Sequence, residues 1–225
     1  MRKAVLPVLA VFMGAAAAIV LAQVSTKELQ SAITPAEAVK RLQEGNARFV
    51  AGQPKTRDWA AKVIATASGQ YPFAAVVSCI DSRAPVEIVL DQGIGDVFSL
   101  RTAGNVVDTD VFGGLEFAAK VTGAKLIVVM GHTECGAVKG AIDGVKMGNL
   151  TALLAKIQSA VRDSGAGNSK DPAYVTKVTE KNVRDSIDEI KARSSILREL
   201  IDSGKVGIQG AMYDVSSGRV TFLAD

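Results

Sequence analysis

The sequence predicts an α/β fold: a mainly parallel central β-sheet flanked by helices, with a C-terminal hairpin at the sheet edge. Short apolar runs alternate along the chain with longer stretches of helical periodicity, as in sheets built from strand-helix-strand units. A length of 225 residues suits one domain with a substantial core. The content of 48% hydrophobic and 22% charged residues is that of an ordinary globular protein.

Five segments have the length and flanking residues of strands. The first and the third are continuous apolar runs, which is typical of a parallel strand buried on both faces. The last two are joined through residues 216–218 (Ser-Ser-Gly), which predicts the hairpin. The predicted strands are 73–78, 96–101, 125–130, 206–213 and 219–223.

Helical periodicity fills the intervals and also precedes the first strand. The predicted helices between strands are 84–91, 110–121, 150–161 and 171–201, and residues 164–170 form a flexible loop. An N-terminal helix is predicted within 31–50, because Thr34 can cap it, Pro35 suits its first turn and Glu37 completes a capping box. Its apolar face can pack on a partner subunit as easily as on its own chain.

The first 22 residues are typical of a secretory signal peptide. Arg2 and Lys3 precede an apolar stretch over 4–22, and the small residues at its end place the cleavage site near Ala22. Residues 23–225 would then be a single exported domain, most simply in the periplasm, with no membrane contact after cleavage. The alternative is an uncleaved membrane anchor, although Pro7 and Gly14 make the stretch only moderately apolar.

The charge balance excludes two classes of partner. The formal net charge is +3 at pH 7, and removal of Arg2 and Lys3 with the signal peptide leaves +1. Proteins that bind nucleic acid or an anionic membrane surface through their overall charge are much more basic. We therefore expect neither partner.

All the cysteines and the one histidine of the chain fall in two short motifs. Residues 79–83 read Cys-Ile-Asp-Ser-Arg and residues 132–135 read His-Thr-Glu-Cys. Cys79 and His132 each follow a predicted strand, at the carboxyl edge where α/β sheets bind their ligands. Cys79, His132 and Cys135 form a three-ligand zinc set, which leaves a fourth position open as in catalytic sites. The alternatives are a buried histidine with two inert thiols, or a disulfide in an exported protein.

Asp81 and Arg83 give a second, independent indication of a catalytic site. Such pairs are common on protein surfaces, where they contribute little. Here Cys79 fixes their loop beside the metal. The Asp81 carboxylate could accept a hydrogen bond from water at the open position, while Arg83 holds the carboxylate ionised and oriented.

Together the two motifs resemble the paired signatures of the β-class carbonic anhydrases. Further segments fit the same family over essentially the whole mature chain: residues 44–49 (Glu-Gly-Asn-Ala-Arg-Phe), 101–105 (Arg-Thr-Ala-Gly-Asn) and 113–118 (Gly-Gly-Leu-Glu-Phe-Ala). The resemblance implies an enzyme with one zinc ion per subunit that reversibly hydrates carbon dioxide to bicarbonate and a proton. It also implies a homodimer, or a dimer of dimers, with sites near the subunit interface.

The resemblance assigns roles beyond the metal ligands. Asp81 and Arg83 would form the catalytic dyad, Gln70 would orient the substrate, and the backbone N–H of Gly136 would help to hold bicarbonate. Gln70 could equally be a solvated loop residue. A bicarbonate-regulated subgroup carries Trp where this chain has Val76, so the expectation here is the open-site subgroup, with Asp81 paired to Arg83 rather than bound to zinc.

Two other functions remain open at the level of sequence. Relatives of the family hydrolyse carbon disulfide or carbonyl sulfide, and the motifs do not separate these activities from carbon dioxide hydration. A non-catalytic zinc-binding protein is the second alternative, but simple zinc storage needs neither Asp81 nor Arg83.

Overall fold

The computed structural model describes residues 25–224, so the predicted signal peptide lies outside the described residues. Its centre is a sheet of five strands: β1 (Ala74–Ser78), β2 (Val97–Arg101), β3 (Leu126–His132), β4 (Gly207–Tyr213) and β5 (Val220–Phe222). Their order in the sheet is β2-β1-β3-β4-β5. All neighbouring strands are parallel except β4 and β5, which form the predicted antiparallel hairpin.

Ten α-helices are found in the described part of the chain. They are α1 (Lys27–Ala32), α2 (Pro35–Val50), α3 (Trp59–Thr66), α4 (Val86–Val89), α5 (Thr109–Glu116), α6 (Gly136–Ile142), α7 (Gly148–Ala155), α8 (Gln158–Asp163), α9 (Pro172–Arg193) and α10 (Ser195–Asp202). Helix α5 continues into a π-helical turn, Phe117–Val121, and a 3₁₀ turn, Ala103–Asn105, follows β2. No helix among these residues is long and apolar enough to cross a membrane.

The fold class predicted from the sequence is confirmed, and the two faces of the sheet explain it. Side chains alternate along a strand, and in β1 Ala75 and Val77 pack into one apolar cluster while Ala74 and Val76 pack into another. The first cluster is covered by α5, α9 and α10, and the second by α2 and α4. Burial on both faces is why β1 and β3 are continuous apolar runs.

The N-terminal helix begins as predicted. Thr34 accepts a hydrogen bond from the Glu37 N–H, and the Glu37 carboxylate accepts one from the Thr34 N–H. Within the single chain, α2 packs on its own domain, with Ala38 and Leu42 fully buried. The Asn46 side chain joins this helix to the Val89 and Gly218 carbonyls.

The long helix predicted over 171–201 is wrong in one respect, because the chain breaks it into α9 and α10. Ser194 has extended backbone angles (φ −110°, ψ 106°) between the two helices. Its hydroxyl caps α10 by accepting from the Leu197 N–H and donates to the Glu116 carboxylate at 2.6 Å. Because the Ser194 hydroxyl both accepts and donates a hydrogen bond, a new helix begins there, although the apolar periodicity continues through it.

Other boundaries also differ from the predictions. The helix predicted over 150–161 is divided between α7 and α8, and the one predicted over 84–91 is only the single turn α4. Helices α3 and α6 follow short loops and have too few turns for a clear apolar period, so the sequence did not reveal them.

Candidate metal centre

The metal centre lies beside β1, where the order of the strands in the sheet reverses direction. From β1 the chain moves outward to β2 on one side and then to β3 on the other, so the crevice lies beyond the carboxyl ends of β1 and β3. In the register of this pair Ser78 lies opposite Met130. Cys79, which follows β1, and His132, which ends β3, are therefore brought to the same edge.

The three predicted ligands come together at this edge. The ligand atoms of Cys79, His132 and Cys135 all lie within 4.8 Å of one another, and all three residues are buried. The two sulfur atoms are 4.0 Å apart and both cysteines are free, so the disulfide alternative does not describe this structure. Two thiolates on a tetrahedral zinc ion at about 2.3 Å would stand about 3.8 Å apart, so the spacing fits zinc.

The orientation of His132 also fits a metal ligand. Its Nδ1 is 2.8 Å from the Thr133 carbonyl oxygen, to which it can donate a proton, and this leaves the lone pair on Nε2. Nε2 is buried and has no hydrogen-bond partner in the part of the chain that the structure describes. A buried nitrogen without a partner costs free energy unless something binds it, and a metal ion would do so.

The second motif, 132–135, forms a tight turn held from outside. Glu134 adopts a left-handed conformation (φ 58°), which turns the chain so that Cys135 faces His132. The Thr133 N–H donates to the Tyr213 carbonyl of β4 at 2.9 Å, and its hydroxyl contacts the Asp214 carboxylate at 3.3 Å. Cys135 then precedes α6, which begins at Gly136.

Asp81 and Arg83 form the predicted pair beside the metal group. Arg83 donates from Nε to Oδ1 of Asp81 at 2.9 Å and from Nη2 to Oδ2 at 2.7 Å. The Arg83 N–H adds a third bond to Oδ1 at 2.9 Å. Hydrogen bonds from Arg83 hold the pKa of the Asp81 carboxyl well below its usual range, against the opposing effect of burial. Asp81 Oδ2 lies 3.8 Å from His132 Nε2, so the ionised carboxylate borders the metal group.

The thiols of the metal group influence each other strongly. The hydrogen bond with the Cys135 thiol is the largest cause that lowers the pKa of Cys79. Together with His132 and backbone N–H groups, and against the effect of burial, it brings that pKa to about 4. The same contact with Cys79, together with burial, raises the pKa of Cys135. The pocket thus favours a thiolate at Cys79, which is the form that binds zinc.

One residue that the sequence did not assign a role holds the first loop in place. Arg101, the last residue of β2, donates from Nε to the Cys79 carbonyl at 2.9 Å and from Nη2 to the Asp81 carbonyl at 2.6 Å. Arg101 thereby fixes the backbone on both sides of Ile80. The resemblance at 101–105 was the signal that could have indicated this function.

The remaining predicted residues lie in different places. Gly136 directly follows Cys135, is exposed, and has no atom within 4 Å of where a Cβ would be. Gln70 is exposed and lies before the amino end of β1, whereas Cys79 follows its carboxyl end. The five residues of β1 alone separate the two ends by about 16 Å. The structure therefore does not bring Gln70 to the metal group of its own chain.

Comparison with known proteins agrees with this geometry. Residues 74–220 match the family model described as "Carbonic anhydrase", which covers more than half of the chain. Carbonic anhydrase 2 of Mycobacterium tuberculosis is 37% identical over 188 residues, which cover 82% of this chain and 91% of that protein. A carbonic anhydrase of Mycolicibacterium smegmatis is 35% identical over 83% of this chain and 92% of its own length.

Solved structures specify the class. A β-carbonic anhydrase of Aspergillus fumigatus superposes with a TM-score of 0.66 at 26% identity, over 84% of this chain and 91% of that one. The chain belongs to the β-carbonic anhydrase family. Another similar structure is a tetrameric β-carbonic anhydrase of Sordaria macrospora, with a TM-score of 0.65 and 28% identity over 71% of this chain and 84% of that one.

Membership in this family, with its zinc-binding geometry intact, makes the chain a carbonic anhydrase. It is a zinc-dependent lyase that converts carbon dioxide and water to bicarbonate and a proton, and the reverse. The two alternatives left open by the sequence, zinc storage and hydrolysis of carbon disulfide or carbonyl sulfide, are less well supported, because the similar proteins described above are all named carbonic anhydrases.

Proposed function

We propose that this carbonic anhydrase is exported, associates with itself, and works with an open site in which Asp81 and Arg83 are the catalytic pair. The observation that carries the proposal is the Asp81 carboxylate, held by two side-chain bonds from Arg83 while its Oδ2 borders the metal group. Cys79, His132 and Cys135 would hold the zinc ion. When bound, zinc supplies the Lewis acidity that activates water, and because two thiolate ligands offset its charge we expect activity to rise into alkaline pH.

In this proposal Asp81 orients the attacking water. Its Oδ2 is an ionised acceptor and can take one hydrogen bond from the water, which leaves a lone pair directed at the carbon of carbon dioxide. Arg83 keeps the carboxylate ionised and prevents it from rotating. The backbone N–H of Gly136, in the first turn of α6 and without a partner inside the helix, is available to an oxygen of bicarbonate.

The open state is supported by two further features. Both oxygens of Asp81 are already occupied by Arg83, and Asp81 is not among the residues whose ligand atoms cluster closely enough to share a metal. Val76 is fully buried in the core beneath α2 and α4. Its side chain is aliphatic, so it has no polar group that could bind Asp81 or bicarbonate.

Asp81→Asn tests the catalytic assignment. The amide keeps the shape of the side chain but loses its charge, so the variant should retain zinc while hydration falls by about 100-fold or more. Asp110→Asn, an exposed substitution on α5, is the matched control and should behave like the parent. Full activity in Asp81→Asn would overturn the assignment.

Self-association is supported by the surface that precedes Gln70. Helix α3 exposes three large apolar side chains, Trp59 (52% exposed), Val63 and Ile64 (77% exposed). In a monomer these apolar side chains stay in contact with water and contribute no burial energy, whereas a second copy packed on the patch would bury them. It would also bring Gln70, which lies just after α3, toward another subunit, and this is how Gln70 could orient substrate in a partner's site.

Mixed oligomers test this shared-site arrangement. Gln70→Ala should be impaired because each site lacks the glutamine, and Cys79→Ser should be inactive because it lacks a metal ligand. When the two variants are mixed and allowed to exchange subunits, sites with intact Cys79 regain Gln70 from the other subunit and activity rises. No gain on mixing, in oligomers shown by mass spectrometry to be mixed, would refute the role of Gln70.

Export is the remaining part of the proposal, and it is supported by the pattern of residues 1–22. Fractionation of bacterial cells that express the full chain should recover an enzyme beginning near Gln23 in the periplasm. A full-length product in the cytoplasm would refute export, and a full-length product in the membrane would support the anchor instead.

A further inference from the structure

A backbone N–H contacts the sulfur of the first metal ligand. The Gly104 N–H donates to Cys79 Sγ at 3.3 Å, and Cys79 is buried. Gly104 adopts a left-handed conformation (φ 68°, ψ 25°) inside the 3₁₀ turn after β2. A Cβ at this position would lie 2.7 Å from Ile157 Cδ1 and 3.2 Å from Ala137 Cβ. Both the conformation and the space therefore require glycine.

A buried side chain fixes the other side of the same glycine. Asn182, on α9, is 4% exposed and donates from Nδ2 to the Gly104 carbonyl at 2.9 Å. The contact joins residues 78 positions apart, from a helix that covers the sheet to the turn beside the metal group. The two peptide groups flanking Gly104 are thus held by different partners, Cys79 and Asn182, and together these contacts determine the direction of the N–H.

We propose that Asn182 is a positioning residue for the metal centre. By holding the Gly104 carbonyl, it keeps the Gly104 N–H directed at the Cys79 sulfur. A hydrogen bond to a thiolate withdraws electron density from sulfur and restricts rotation of the Cys79 side chain, and both effects tune the metal. The inference rests on the proposed role of Cys79 as a metal ligand.

Cobalt spectroscopy tests the proposal. Co²⁺ in place of zinc gives a charge-transfer absorption from thiolate sulfur, whose energy falls when sulfur loses a hydrogen bond. In Asn182→Ala and in Asn182→Leu, neither of which can donate to the carbonyl, this band should move to lower energy. Zinc affinity, measured by competition with a chelator, should fall about 10-fold.

The control is another buried asparagine that donates to backbone carbonyls. Asn46 is also 4% exposed and bonds the Val89 and Gly218 carbonyls, remote in sequence from the metal ligands. Asn46→Ala should lose stability without shifting the cobalt band. A folded Asn182 variant with the parent's band and zinc affinity would overturn the proposal, since a merely structural residue would lower stability only.

A measurement on the unmodified sequence can still refute the proposal if the variants do not fold. In protein loaded with ¹¹³Cd, a hydrogen bond to a ligand sulfur transmits scalar coupling between the metal and the amide proton. Coupling to the Gly104 amide proton is expected, and its absence would overturn the proposal. Failure of the parent chain to bind Co²⁺ or Cd²⁺ would instead refute Cys79 as a ligand, so the two failures are distinguishable.

Discussion

Arg83 donates two parallel side-chain hydrogen bonds to the Asp81 carboxylate, at 2.9 and 2.7 Å. The Arg83 Nη2 also lies 3.4 Å from the Glu134 carbonyl, so the same guanidinium contacts both loops that carry metal ligands. Arg83 therefore orients the carboxylate and also links the loop after β1 to the turn after β3.

This geometry predicts that lysine cannot replace Arg83. A lysine ammonium is a point charge without the planar pair of donors, so it would hold Asp81 ionised but leave it free to rotate. Arg83→Lys should lower kcat/KM about 10- to 100-fold while zinc content is unchanged. Arg162→Lys, an exposed change on α8, should leave both unchanged, and an Arg83→Lys enzyme as active as the parent would contradict the geometry.

Proton release should depend on external buffer. His132 is the one histidine in the sequence, and it is committed to the metal group, so no histidine is left to carry the proton away. Arg83 keeps the pKa of Asp81 far too low for Asp81 to hold a proton near neutral pH. The turnover rate should therefore rise with buffer concentration at constant pH and ionic strength. A rate independent of buffer would indicate a proton path that this structure does not provide.

Stability at low pH should depend on a buried carboxylate outside the metal group. Asp91 is 1% exposed in its side chain and pairs with Arg48 and Arg57. Burial alone would raise its pKa, but hydrogen bonds from Arg57, Arg48 and the Lys55 N–H prevail and lower it from 3.8. A carboxyl with a lowered folded pKa stabilises the fold above its unfolded pKa, and this contribution is lost as pH falls from about 4 through the folded value.

Substitution of Asp91 checks this pairing. Asp91→Asn leaves two arginines without their buried partner and should lower the free energy of unfolding by about 3–5 kcal/mol at pH 7, measured in urea. The difference from the parent should shrink as pH falls below about 4, because the unfolded chain takes up a proton there before the folded chain does. Glu44→Gln, which breaks the exposed pair with Lys40, should cost less than about 1 kcal/mol. A small and pH-independent effect of Asp91→Asn would contradict the prediction.

Gly131 should tolerate no side chain, because helix α9 lies directly against it. A Cβ there would stand 2.7 Å from Thr179 Cγ2 and 2.9 Å from Val183 Cγ2. Gly131→Ala should destabilise the protein by about 1–3 kcal/mol and weaken zinc binding, because it displaces the strand end that carries His132. Gly113→Ala on α5 meets no atom within 4 Å and should be neutral or stabilising. Thermal unfolding and zinc competition measure both variants, and equal stability would contradict this packing.

The sequence predicted the features of the fold that have short-range causes. The Thr34 capping box and the buried runs at β1 and β3 are local patterns, and they identified a helix start and two central strands. Ser194 caps α10 locally through the Leu197 N–H, but its second bond is to Glu116, 78 residues away, and no local pattern reveals such a partner. Apolar periodicity alone therefore predicted one helix where two exist.

The candidate site also contains residues that the sequence identified and residues that it did not. Cys79, His132 and Cys135 could be identified because cysteine and histidine are rare in this chain and lie at strand ends. Arg101 and Asn182 act through backbone carbonyls, which any donor at the right place can reach, so the type of residue did not indicate their role. Gln70 could be identified only by resemblance, and its position becomes meaningful only when a second subunit is considered.

The most direct test of the central claim is stopped-flow hydration of carbon dioxide by the chain from Gln23 onward, in alkaline buffer, beside Cys79→Ser. We predict rapid hydration by a protein that holds one zinc ion per chain, and loss of both the metal and the activity in the variant. No hydration by protein shown to carry its zinc would contradict the account.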